Sequence, residues 1–276
     1  SGGIQQIEIV KGPASILYSN GAIGGIVNIV DSTISKEDVL ENVFNVGFES
    51  QSVNDGDNFN INYSGSVDGF NLFFSHSHKN LDNFDIPDEA VIHEEEEEGH
   101  EESSFLANSD SKMAATRLGI SKTGDWGYYG ISSVIIDQFN GVPFHGEEEH
   151  AEGEEEEHEE ERIFAVTDSS VINIEGEYLL DGIVNSIAYS LRETDSSLTE
   201  QHAEEEHEGE EEEEEEHEEH GATTFTNNSE EAQIILDISN ANNEQKLVFN
   251  LANSDSSVVK EVGTPSMRPA ETSEST

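Results

Sequence analysis

Imidazole and carboxylate recur together in three stretches of this chain: His93–Glu102 (HEEEEEGHEE), His145–Arg162 (HGEEEHAEGEEEEHEEER) and His202–His220 (HAEEEHEGEEEEEEEHEEH). They hold His93, His100, His145, His150, His158, His202, His207, His217 and His220, which is all but two of the 11 histidines. A run of Glu alone reads as a solvated, disordered block, because like charges repel and nothing in it is worth burying. Histidine set among the carboxylates changes that reading to metal binding. Imidazole nitrogen and carboxylate oxygen both hold zinc at about 2.0–2.2 Å, and a spacing such as His217-x-x-His220 puts two ligands on one ion if the segment curls. No residue in the runs fixes such a curl, so the expected sites are shallow and shifting. His76 and His78, in FFSHSHKN, are the two that stand apart. Two residues apart on a strand, they share a face and are further candidate ligands, with Asp82, Asp85 and Asp88 following.

The balance of charge says what such runs attract. Lys plus Arg total 11 against 62 Asp plus Glu, a formal net charge of -51. That excludes nucleic acid as a partner, since phosphate binding needs cationic side chains. It disfavours anionic substrates and concentrates cations. There is no Cys, so any metal is held by nitrogen and oxygen, which suits zinc and its first-row neighbours. Calcium has no use for imidazole, so the histidines argue against a calcium-binding surface protein.

The elements that carry the runs read as strands. Phe44, Val46 and Phe48 alternate with polar residues, as do Phe59, Ile61 and Tyr63; Ile172, Ile174 and Tyr178; Ile183, Ile187, Tyr189 and Leu191; Ala232, Ile234, Leu236 and Ile238; and Leu247, Phe249 and Leu251. A period of two gives one apolar and one polar face. Nine strands are expected, at roughly 42–51, 57–66, 69–80, 112–122, 126–139, 163–179, 182–195, 222–239 and 244–253. Tight links carrying turn residues (66–69, 123–126, 180–182, 240–243) alternate with long or polar ones (52–56, 81–111, 140–162, 196–221). In an antiparallel sheet alternate links lie on opposite sides, so all three Glu/His runs fall on one side. Residues 254–276, polar with Pro265 and Pro269, read as a loop or tail after the ninth strand.

Ahead of the strands, Ile4–Val10 and Ile26–Val30 read as two short strands, with Pro13 opening a brief helix through Tyr18 and Gly21, Gly24 and Gly25 ending it. On periodicity alone this is a βαβ-like piece of any α/β domain. The stretch IEIVKGPASILYSNGAIGGIVNIV nevertheless resembles the end of the plug domain of TonB-dependent outer-membrane receptors: Glu8, Gly12, Pro13, Leu17, Tyr18, Gly21, Gly24, Gly25 and Asn28 fall where that family's pattern has them. Val142-Pro143-Phe144-His145 and Gly221-Ala222-Thr223-Thr224-Phe225-Thr226-Asn227-Asn228 are similar to zinc receptors of the ZnuD type within that family, although the present runs are richer in Glu, which leaves the metal's identity open.

The resemblance implies an all-β fold: a partial antiparallel transmembrane β-barrel of about nine strands, preceded by the C-terminal end of an α/β plug domain. Residues 1–31 would be the plug's end and 32–276 the first barrel strands, with acidic extracellular loops at about 81–111, 140–162 and 196–221. The apolar face would meet lipid and the polar face the lumen. Ser1 opens without a signal peptide, so the chain reads as an internal piece of a longer protein. The expected function is import of a divalent ion, most simply zinc, across the cell outer membrane. It needs no catalysis. Energy would come from a TonB-type coupling protein through an N-terminal segment missing here. The alternative is a receptor for a metal chelate (siderophore, haem or cobalamin), of which anionic ferric complexes would be repelled by the acidic mouth.

Overall fold

The computed structural model describes residues 4–11, 25–87, 104–143, 162–203, 222–240, 243 and 245–260. All regular elements among them are β-strands. No helix among the described residues is long and apolar enough to cross a membrane, which leaves strand crossings untouched.

Two strands, β1 (Ile4–Lys11) and β2 (Gly25–Asp31), pair antiparallel with Ile7 opposite Ile29. A βαβ unit would make them parallel, so that expectation is corrected: the pairing is that of a hairpin. The helix expected after Pro13 lies outside the described residues.

Nine strands form one antiparallel sheet. They are β3 (Val43–Gln51), β4 (Gly56–Val67), β5 (Phe70–Leu81), β8 (Ser111–Gly124), β9 (Gly127–Gly141), β10 (Arg162–Leu179), β11 (Ser186–Ala203), β12 (Thr223–Asp237) and β13 (Lys246–Lys260). Each pairs with its neighbours in chain order, and among the described residues β3 and β13 end the sheet without pairing to each other. Two tiny strands, β6 (Phe84–Asp85) and β7 (Phe105–Leu106), make a separate pair between β5 and β8. Their two residues each were too short to show as a pattern.

The expected strands hold, with shifted ends. β11 starts at Ser186 rather than 182 and runs on to Ala203, and β13 reaches Lys260, so residues 254–260 are strand rather than tail. The extensions carry only Leu198, Val258 and Val259 as large apolar residues, too few for an alternation to reveal them. Partners do: Ser196–Ser197 pair with Asn227–Thr226, and those pair with Ser256–Ser257. The β4–β5 link is the tight turn its residues announce. Asp68 and Gly69 both have positive φ, 52° and 77°, as a two-residue hairpin loop matching the strand twist requires.

The sheet is dressed the opposite way to a soluble one. On β9 the residues Tyr129, Ile131 and Ile135 are exposed while Tyr128, Gly130 and Ser132 between them are buried. Elsewhere the buried side chains include Asn71, Ser75, Ser121 and Asn173, with Phe73 between the first two, whereas Phe48 is 72% and Leu251 74% exposed. The apolar face is open, and the polar face is the one that is covered.

Part of that cover is the segment 32–42, which lies across the polar face before entering β3. Thr33 and Ile34 are buried there. Asn71 of β5 receives a hydrogen bond from the Val39 amide at 3.0 Å and donates to the Glu37 carbonyl at 3.2 Å. Ser121 of β8 donates to the Ser35 carbonyl at 2.7 Å. The Ser66 amide of β4 donates to Asn42 at 3.0 Å.

Candidate metal-capture rim

Because the sheet is antiparallel in chain order, its links sort by end. The links β3–β4, β5–β8, β9–β10 and β11–β12 lie at one end, and β4–β5, β8–β9, β10–β11 and β12–β13 at the other. The first end roots all three Glu/His runs. The described residues stop at 87 and resume at 104, stop at 143 and resume at 162, and stop at 203 and resume at 222. Those six roots belong to six consecutive strands, β5, β8, β9, β10, β11 and β12. At about 4.8 Å between strands, the roots span roughly 24 Å of one rim.

The rim is tied together by its own contacts. The Asp82 amide donates to the Asn54 carbonyl (3.0 Å) and the Asp85 amide to that of Val53 (2.7 Å), which binds the β3–β4 link to the first root. The Ile86 amide donates to the Ser104 carbonyl (2.9 Å), closing the neck of the first link. Arg162, the last residue of the second run, donates from Nη2 to Asp110 Oδ2 at 2.6 Å and lies 5.5 Å above the Phe139 ring. That ion pair joins the first link to the second. Its signal in the sequence is one arginine closing a run of glutamates.

His93, His100, His145, His150, His158, His207, His217 and His220 lie outside the described residues, as does Asp88. His202 is in β11 rather than in a loop, with its backbone opposite Ile163. His76 and His78 share one face of β5, as their spacing predicts, and it is the open apolar face of Phe70, Leu72 and Phe74. His76 is half-buried, with Nδ1 3.0 Å from Thr116 Oγ1. Among the described residues no three His, Asp or Glu side chains converge to hold an ion, so Asp82 and Asp85 are not gathered around this pair. A lone pair of ligands on one strand face is half a tetrahedral site.

The apolar face has two borders. At the tight-turn end Trp126 stacks on Tyr129 (centroids 5.6 Å apart) and meets Tyr178 (5.5 Å), and Tyr178 stacks on Tyr189 (6.4 Å). The Tyr189 ring passes over Gly176, where an added Cβ would lie 2.7 Å from its hydroxyl. Periodicity named Tyr178 and Tyr189 but not their assembly with Tyr129 and the turn residue Trp126 across three strands.

Towards the rim the same face turns acidic: Asp137 stands opposite Asp168, and Glu193 opposite Glu230. That border steps across the register. Phe59 on β4 shares its row with His78, Ala114, Asp137 and Asp168. The upper apolar residue is Ile135 on β9, Ile172 on β10 and Leu191 on β11, each lower in its strand than the last. A level apolar belt crossed by tilted strands has this form. Beyond the border Phe139 and Phe164 pack together at 5.3 Å under the roots of the second run.

A scan of protein-family models finds no match to this chain, and no curated protein matches it. The fold that the coordinates define is an all-β one built on a large antiparallel sheet.

Proposed function

We propose that this chain is part of a TonB-dependent outer-membrane receptor that imports a divalent metal ion, zinc by preference, with the Glu/His runs collecting the ion at the outer rim. The observation that carries the reading is the pairing of an inverted sheet, apolar where it is open and polar where it is covered, with three Glu/His runs rooted side by side at one end.

Each half has a physical reason. An open apolar sheet face is costly in water but suits a bilayer, where a closed barrel satisfies every backbone group. The aromatic cluster at the tight-turn end fits the girdle such barrels place at the interface, and the stepped border fits strands tilted by about 35–45°. The tight turns would then face the periplasm and the runs the outside, the usual asymmetry. The acidic field raises local cation concentration, and imidazole selects for zinc over calcium.

The test is metal binding and uptake by the full-length protein. Purified receptor titrated at neutral pH should take up zinc at micromolar concentrations in the presence of millimolar calcium. Replacing the nine run histidines by Gln should lower uptake when zinc is scarce and matter little when it is abundant. Strong calcium binding with no response to zinc would reject the proposal.

A further inference from the structure

β5 carries two histidines whose ligand set is incomplete. His76 and His78 stand about 6.8 Å apart along the strand, on its open face. The Thr116 hydroxyl on β8 engages His76 Nδ1 at 3.0 Å. That contact fixes the ring and leaves Nε2 as the nitrogen for a metal, the usual arrangement of a metal-bound imidazole. His78 is exposed, and its neighbour on β8 is Ala114, so no large side chain opposite it on that strand stands in the way. Asp137 on β9 and Asp168 on β10 continue the row of His78, a charge that suits a dication. Zinc takes four ligands, and among the described residues no third His, Asp or Glu converges on these two. β5 is paired on both sides, with β4 and β8, so its outward face stays available whether or not the sheet closes.

We propose that one zinc ion is held between two copies of this chain by His76 and His78 of each, a four-histidine site on the outside of the sheet. This rests on the membrane part of the reading above. Copies that share a bilayer have the same up-and-down orientation. The two-fold axis of a closed pair therefore runs along the bilayer normal and brings identical residues together at one height. Such a contact is self-complementary, so half of a tetrahedral site is completed by a second copy of itself. Beside the ligands Phe59 on β4 is 39% and Leu118 on β8 49% exposed, apolar surface that the second copy covers. A net charge of -51 on each copy opposes association, so the pair forms only when the metal is present.

The experiment uses the full-length receptor extracted from outer membranes in detergent, with the nine run histidines replaced by Gln so that the runs do not take up the probe. Zinc chloride is the titrant and sedimentation velocity the readout. Zinc should convert monomer to dimer, and calcium, which has no use for imidazole, should not. His76→Gln with His78→Gln should abolish the conversion and remove one bound zinc ion per two chains. Thr116→Val, which keeps both ligands, should weaken the zinc response about 10–100-fold. Heat-modifiable electrophoresis checks that each variant is folded. A receptor that stays monomeric in zinc, or a zinc-dependent dimer that survives the double replacement, overturns the proposal and leaves the import reading standing. Should the double replacement not fold, Thr116→Val decides alone, and an unchanged zinc response overturns the proposal. Absence of the receptor from the outer-membrane fraction would remove the membrane reading and this proposal together.

Discussion

At the scale of single residues, small side chains decide how closely others approach. Gly176 lets the Tyr189 ring lie flat across β10, and an added Cβ would also stand 2.8 Å from the Tyr128 carbonyl oxygen. Overpacking of this kind costs about 1–3 kcal/mol. Gly176→Val should lower the unfolding midpoint accordingly, and Gly176→Val with Tyr189→Ala should recover part of the loss; denaturant melts followed by tyrosine fluorescence would show it. Lys36 gives a residue-scale prediction with a sign. Partial burial opposes its charge, but Glu175 and Tyr128 together, through charge and hydrogen bonding, outweigh it, so its pKa is raised above 10.5. A raised pKa means the charged lysine's contribution is fully present below 10.5 and lost only as pH rises through the higher folded value. Docking of residues 33–42 on the polar face, followed by Val39 exchange corrected for intrinsic rate, should therefore not weaken through Lys36 between about pH 7 and 9.

At the scale of elements, the two faces of β9 provide the sharpest contrast. Ile131 is on the open face at 45% exposure, and Ser132 beside it is buried on the polar face. If the open face meets lipid, Ile131→Arg should cost about 2–4 kcal/mol near the bilayer midplane and reduce assembled receptor in the outer membrane. In a water-soluble protein the same change at a half-exposed site would cost within about 0.5 kcal/mol and improve solubility. Folded and unfolded fractions separated by heat-modifiable electrophoresis distinguish the two. Strand ends belong to this scale as well. The alternation of Ile187, Tyr189 and Leu191 marks where β11 lies, while its mostly polar extension to Ala203 exists because β12 pairs along it to Glu200 and β10 to its end.

At the scale of the whole molecule, charge and sidedness act together. With a net charge of -51, the rim's attraction for cations is long-ranged and screened over about 8 Å at physiological salt. The zinc on-rate should fall as sodium chloride rises from 10 to 500 mM, measured by stopped-flow with a fluorescent zinc competitor. Protons compete for the same imidazoles, so uptake should weaken below about pH 6 and recover on return to neutrality.

The nine strands of the main sheet, the face each presents and the end at which each run is rooted were legible in the amino-acid order alone. These rest on local physics: a period of two, and turn residues such as Asp68-Gly69 that permit positive φ. The candidate ligands were legible as composition, but their geometry was not, because nothing in a Glu/His run ties it to a particular partner. The tertiary structure alone decided the route of residues 33–42 over the polar face, the Arg162–Asp110 tie across the rim and the step of the apolar border from Phe59 to Leu191. Each depends on register between strands far apart in the chain, and register is set by the summed fit of whole ladders, which no single stretch encodes.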